Sequence, residues 1–419
     1  MSQFTLQDHN HNLKLNLIHE FFWGFGMAFH TVYAVIPLFL SELGAPSGIA
    51  VSVGGGFSFL IAAPQLISAI LGRNIRNLKL AVLFVHSLVW VPLFIMGFTF
   101  TFFSPTGSSA WIFYLFLFVL YGLGLGFVIP IWADFLNAVT LRKVRGTFFG
   151  LSFALGSFGS FLGGILLRYI LKSSIPFPQN FGTGFFIYFF SIVIATIIYI
   201  GYRVNENRRQ RSPLSLKDFS SLAKTIVIGH KNFQKYILSR VFCCAHLPAV
   251  SLYPVYCQQK FGFDISEAGT FTIINVIASG CASYFTGKIG QRFGYKSGMI
   301  FFCFSHFLAV LLAIFSQNMV WVYAIFLCIG MANGAFMPAA MNMVYDFAGD
   351  KDNKLYMALI DSFLAPFVVF FIFVTSILTE WGYFLTALSG IGVSLLIGLL
   401  ILILLVKDPG LFPKFNVDK

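Results

Sequence analysis

Five side chains combine reactive chemistry with apolar surroundings: Glu20, His30, Arg240, His246 and Asp361 all lie inside long hydrophobic runs. Holding an ionisable group in hydrocarbon is costly, so such a residue marks by default a path for protons, ions or substrate. Imidazole titrates near physiological pH, which suits a proton carrier or a ligand for an anionic or polar solute. His30 stands seven residues before Pro37, and His246 eight before Pro254, so a repeating chain would make them approximate equivalents facing one cavity. Glu20 precedes His30 by ten residues, about 15 Å along a helix and roughly 80° around it. Arg240 and Asp361 form one expected internal ion pair if their spans adjoin, with Glu20 the other available counter-ion. Snorkelling of Glu20 and Arg240 to the interface is the structural alternative.

Other reactive types carry less. His86 and His306 read as neutral packing histidines, and His9 and His11 as parts of a solvated polar tail. The six cysteines (Cys243, Cys244, Cys257, Cys281, Cys303, Cys328) show neither a disulfide framework nor metal-ligand spacing and read as small packing residues. No Walker loop, H-E-x-x-H or G-x-S-x-G sequence occurs, so neither an enzyme nor a bound cofactor or metal is expected.

The elements that position these residues are membrane helices. Of 419 residues 58% are hydrophobic and 10% charged, against roughly 25% charged in a soluble chain. Composition excludes a soluble enzyme, a nucleic-acid binder and a disordered protein. The apolar runs predict twelve spans at 15–41, 48–72, 79–102, 110–137, 146–170, 182–203, 235–259, 267–287, 297–317, 320–345, 354–379 and 383–406. The net charge of +12 is distributed by topology. One set of alternate loops holds only Arg168, Lys172 and Lys260, while Arg240 lies within a span and the other cations fall in the opposite loops and the tails. That bias predicts both termini in the cytoplasm. Residues 1–14 are polar and the run after them is too long for a signal h-region, so no cleavable signal is expected.

The chain also repeats itself. Pro37 and Lys79 stand 42 residues apart, as do Pro254 and Lys296. Gly122, Gly126 and Pro130 in the fourth span match Gly330, Gly334 and Pro338 in the tenth. Two six-span bundles, 1–203 and 235–419, flank a basic connection at 204–234. Internal repeats of this kind are the sequence mark of transporters whose halves rock around a midplane site.

The loop Gly287-Lys288-Ile289-Gly290-Gln291-Arg292-Phe293-Gly294-Tyr295-Lys296 resembles the G-x-x-x-D-R-x-G-R-K loop of the major facilitator superfamily, with Gln291 in place of the acid and Tyr295 in place of the second basic residue. The first-half counterpart, Gly72-Arg73-Asn74-Ile75-Arg76-Asn77, keeps only the glycine and basic character. The resemblance implies an all-α membrane protein of prokaryotic type, with twelve helices in two pseudo-symmetric six-helix bundles. It implies a central cavity lined mainly by spans 1, 4, 7 and 10, with parts of 2, 5, 8 and 11. Polar lining candidates on these spans are Tyr33, Gln65, Tyr253, Tyr256, Asn275, Asn333 and Asn342. It further implies a conformational lock, in which Asp134 pairs with Arg73 or Arg76 and Asp346 pairs with Arg292 beside Gly287. Ordinary interfacial salt bridges worth about 0–1 kcal/mol are the bland alternative. Gly156, Gly159, Gly163 and Gly164 partly resemble an exporter motif but fit close helix packing better.

The expected protein is therefore a monomeric, multi-pass plasma-membrane (inner-membrane) transporter among lipid. It would carry a small molecule, with protons as the expected coupling ion. A multidrug-type exporter and a transport-dead receptor or assembly protein on the same scaffold are the alternatives.

Overall fold

The computed structural model describes residues 4–71, 75, 77–141, 144–204, 226, 228–349 and 353–411. Its helices are α1 (Leu6–Met27), α2 (Val35–Glu42), α3 (Ser47–Leu71), α4 (Leu78–Phe98), α5 (Ser108–Ala138), α6 (Arg145–Lys172) and α7 (Gln179–Ile197), then α8 (Lys231–Cys243), α9 (His246–Phe261), α10 (Glu267–Phe293), α11 (Lys296–Phe315), α12 (Met319–Ala348), α13 (Asn353–Glu380) and α14 (Phe384–Leu404). Twelve helical stretches among the described residues are long and apolar enough to cross a membrane, as the hydrophobic runs predict. Phe84, Val91, Phe98, Phe102 and Phe103 are among many large apolar side chains left exposed. That surface suits hydrocarbon rather than water.

The expected first and seventh spans are each broken in two. α1 ends at Met27, a 3-10 turn covers Ala28–His30, and α2 restarts at Val35, whose N–H donates to Thr31 Oγ1 at 3.1 Å. α8 ends at Cys243 and α9 restarts at His246. Pro37 and Pro248 each take the third position of the restarted helix. Proline has no N–H to donate and is tolerated in a first turn, so both residues mark a restart rather than a kink.

Two compact units form. One contains Met1–Ala45, Phe57–Pro213 and Phe263–Ile273; the other contains Pro46–Gly56, Leu214–Gly262 and Ile274–Lys419. Within the first, α1 lies on α6 so closely that a Cβ at Gly24, Gly159 or Gly163 would meet opposing backbone. The fifth-span glycines therefore serve close packing, as their spacing indicates. Gly126 sits on Ile61 and Pro64 of α3, while in the second unit Gly334 sits on the backbone of Ser279 in α10. The glycine repeat read from the sequence thus marks the same helix contact twice.

Each unit also ties its first helix to the chain beyond its last by one device. Asn12 donates to the Arg203 carbonyl at 2.7 Å and accepts from the Arg203 N–H at 2.8 Å. Asn232 does the same to Lys407 at 2.8 and 2.9 Å. The repeated lysines act alike too, with Lys79 Nζ donating to Ile200 O at 3.0 Å and Lys296 Nζ to Ile403 O at 2.9 Å.

Candidate functional site

His30 closes the 3-10 turn at the first break and is buried within the first unit. Its Nε2 is hydrogen-bonded to the Tyr114 hydroxyl at 2.8 Å, and its Nδ1 has no partner among the described residues. Rings of Phe118, Tyr121, Phe185 and Tyr188 surround it at 4.9–5.9 Å. Tyr121 and Tyr188 share a hydrogen bond of 2.7 Å, and the Tyr188 hydroxyl also points at Met27 Sδ. The break is thus lined by an aromatic box with three hydroxyls.

Farther down α1 lies a cluster that the sequence reading caught only in part. Glu20 stands out in the sequence as an ion in an apolar run; His19 beside it does not, and His86 reads as packing. His19 Nδ1 donates to the Ala195 carbonyl at 2.9 Å, and its Nε2 meets the Tyr199 hydroxyl at 3.0 Å. The same hydroxyl lies 3.4 Å from His86 Nε2, while His86 Nδ1 donates to Val82 O at 2.6 Å. Glu20 Oε1 stands 3.9 Å from His19 Nε2. The side-chain types alone carried no sign of this arrangement, because the three rings come from α1, α4 and the turn after α7.

At the second break, His246 donates through Nδ1 to the Cys243 carbonyl at 2.8 Å, closing the end of α8. Its ring lies 4.4 Å from His306 and 5.0 Å from Phe302. Both nitrogens of the buried His306 lack hydrogen-bond partners among the described residues. Arg240, one turn earlier, lays its guanidinium over Phe336 at 4.7 Å, with Tyr236, Cys243 and Cys303 beside it. No ion pair within 4.0 Å forms between Arg240 and an acid among the described residues. The expected Arg240–Asp361 pair is therefore not made: Arg240 is turned onto Phe336, and α13 carries Asp361 at an exposed position within reach of its field only. Nor do Glu20 and Arg240 snorkel, since 7% and 8% exposure leave both buried in protein.

The two ions hold equivalent places. His19 binds the Ala195 carbonyl and Glu20 follows it; Ser239 binds the Gly398 carbonyl at 2.7 Å and Arg240 follows it. Trp23 packs on His86 at 5.6 Å, and Cys243 touches Cys303 at 2.8 Å. The offset is 220 residues along α1 and α8. It differs from the 217 of the lysine pair because the first break is longer, which is why spacing alone did not align Glu20 with Arg240.

The other expected residues divide. Tyr253 and Asn275 are buried, and the Tyr253 hydroxyl and Asn275 Nδ2 have no hydrogen-bond partner among the described residues. Tyr33 and Gln65 are half-buried and Asn333 is exposed. Tyr256 accepts from Lys260 Nζ at 3.2 Å, and Asn342 folds back onto the Pro338 carbonyl at 2.7 Å, so both have structural uses.

In the expected lock, Arg73 and Arg76 lie outside the described residues, and Asp134 is half-buried. Asp346 and Arg292 form no ion pair, because Arg292 stacks on Phe293 at 5.2 Å while Asp346 approaches Gly410. Space at Gly287 is open; the crowded glycines are Gly290, under the Tyr295 ring, and Gly294, against the Asp408 carboxylate. Partial burial, then the Asp346 carboxylate, holds the Tyr295 hydroxyl above the usual phenol range. The acid that serves this loop is one the sequence reading missed. Asp408 accepts from the Lys296 N–H at 3.0 Å and the Gly410 N–H at 2.9 Å, behind Gly294 in its left-handed conformation (φ +82). A carboxylate at the start of α11 also complements the helix dipole. The Asp408-Pro409-Gly410 turn was its sequence signal.

Two broken first helices and twelve apolar helices in a repeated arrangement define a helical membrane-protein architecture. Residues 241–416 match the Major Facilitator Superfamily. The nucleoside transporter NupG has a similar structure, with a TM-score of 0.70 at 14% identity, over 94% of this chain and 100% of that one. A POT family transporter solved with a thioalcohol-conjugated peptide scores 0.70 at 14% identity, over 94% and 95%. A D-xylose-proton symporter scores 0.68 at 13% identity, over 95% and 98%. No curated protein matches the sequence. The second half of the chain thus resembles the Major Facilitator Superfamily in sequence, and the whole chain shares the fold of these solved structures.

Proposed function

We propose that this chain is a secondary active transporter that carries a small solute bearing an anionic group, by alternating access coupled to protons. The observation that carries the solute class is Arg240, a buried guanidinium stacked on Phe336 with no acid paired to it among the described residues. Removing an ion from water costs several kcal/mol, and an unpaired one is retained where an anion arrives to meet it. The planar fork of arginine suits a carboxylate, phosphate or sulfonate. Acidic and imidazole groups inside the spans support proton coupling, and the similar structures include a protein described as a proton symporter. The distribution of Lys and Arg supports cytoplasmic termini, and the basic stretch 204–234 is read as the connection between the two bundles.

The test is a thermal-shift screen of the purified protein against small carboxylates, phosphates, sulfonates and neutral sugars and nucleosides, at two pH values. A ligand at a hundred times its Kd stabilises by about 2.7 kcal/mol. An anion is expected to raise the melting temperature of the wild type but not of Arg240→Met. Stabilisation by neutral solutes alone, retained in Arg240→Met, contradicts the proposal.

A further inference from the structure

The buried histidines of the first unit pose a hydrogen-bonding problem that is solved by adding one proton. His19 Nδ1 meets Ala195 O at 2.9 Å and His86 Nδ1 meets Val82 O at 2.6 Å. A carbonyl only accepts, so both Nδ1 atoms carry hydrogen, and in neutral imidazoles both Nε2 atoms are then acceptors. The single group between them is the Tyr199 hydroxyl, 3.0 Å from one and 3.4 Å from the other. It has one hydrogen and can satisfy one of them. The second Nε2 then faces the phenol oxygen lone pair to lone pair. Exposures of 2% for His19, 1% for His86 and 0% for Tyr199 leave little room for water to repair this.

We propose that His19, Tyr199 and His86 form a store for one proton inside the first unit, with the Glu20 carboxylate as its counter-ion. A proton arriving from water forms an N–H bond at His19 Nε2, which donates to the Tyr199 oxygen. The Tyr199 O–H then turns to donate to His86 Nε2. Every nitrogen and oxygen in the chain is now paired; the new N–H bond replaces an O–H bond of the hydronium donor, which leaves as water, and no bond within the protein has broken. The positive imidazolium lies beside Glu20 Oε1 at 3.9 Å. Glu20 makes no hydrogen bond among the described residues and is the most exposed of the four, so it is the point of entry. Release reverses these steps.

Trp132 of α5 also hydrogen-bonds the Tyr199 hydroxyl, but an indole N–H only donates, so it takes one phenol lone pair and leaves both imidazoles dependent on the single Tyr199 hydrogen. Tyr202 donates to Asn16 Oδ1 at 2.8 Å, and Asn16 donates to Ser152 of α6 at 2.8 Å. Lys79, in the first turn of α4, is held by the Ile200 carbonyl. Phe135 of α5 closes the far side of Tyr199 at 5.1 Å between rings, and Trp23 covers His19 and His86. The store deepens the proton-coupled reading and rests on it for its use in transport; its existence does not.

The test is nitrogen NMR of 15N-histidine-labelled full-length protein in nanodiscs across a pH titration, with His19→Gln and His86→Gln providing assignments. Both rings are expected to be Nδ1–H tautomers at high pH. As pH falls, one step should convert His19 to imidazolium and shift the His86 Nε2 signal at the same midpoint. In Tyr199→Phe the His86 response at that midpoint should be lost. Rings that keep their signals throughout the pH range of the folded wild type overturn the proposal, as does an unchanged joint response in Tyr199→Phe. Transport under an imposed pH gradient is read separately. A titrating chain in a protein indifferent to the gradient supports the store and removes its coupling role; a gradient response with silent rings removes the store and leaves coupling intact.

Discussion

At the scale of single residues, the charged groups that matter are those whose partners are least conventional. Arg240 is stabilised by the face of Phe336 rather than by an acid. Replacing even a buried ion pair with apolar side chains of similar volume is often neutral or stabilising by about 1–4 kcal/mol, and an ion without an acid partner has less attraction to lose. Arg240→Met is therefore expected to melt at or above the wild-type temperature in detergent while losing transport. A lower melting temperature would assign Arg240 to stability instead. Asn12 is the opposite case, since its side chain satisfies the N–H and carbonyl of Arg203. Asn12→Ala should cost about 1–3 kcal/mol through the groups left unpaired, readable as a lower thermal midpoint. Such roles were legible only in part. Glu20 and Arg240 announce themselves because a charge in an apolar run needs a reason. His19 does not, because its partners lie 176 and 180 residues away in the chain.

At the scale of elements, the breaks in the first and seventh spans organise both candidate sites. Hydropathy reads each as one continuous run, since a break of two to seven residues keeps its apolar composition. The signal was proline: Pro248 restarts α9 as Pro37 restarts α2, whereas the more regular spacing pointed to Pro254, inside α9. The loop before α11 shows the same limit. Its pattern singles out Gly287, but contact with Tyr295 leaves Gly290 without room, as the Asp408 carboxylate does Gly294. Overpacking costs about 1–3 kcal/mol. Gly290→Val should therefore lower the thermal midpoint and Gly287→Ala leave it nearly unchanged; equal effects would contradict this assignment.

For the whole molecule, repetition was the most legible property. Spacings of proline, lysine and glycine anticipated two similar halves, and the paired contacts of Asn12 with Asn232 and of Lys79 with Lys296 give the repeat a physical basis. What spacing could not reveal is that the repeat sets an acid, Glu20, in the place where the other half has a base, Arg240. The charge bias of the loops predicts a topology that can be checked directly. In a Cys281→Ser background, Thr106→Cys should react with a membrane-impermeant maleimide in intact cells, and Gln7→Cys only after permeabilisation. The reverse pattern would invert the orientation.

The account as a whole stands on coupled movement of an anion and a proton. Its most direct test is reconstitution into liposomes containing a pH-sensitive dye, followed by external addition of the anion that stabilises the protein most. The account predicts that solute uptake and a change of internal pH occur together, that an imposed pH gradient changes the uptake rate, and that Arg240→Met abolishes both. Uptake of the same anion with internal pH unchanged and no response to the gradient would contradict it.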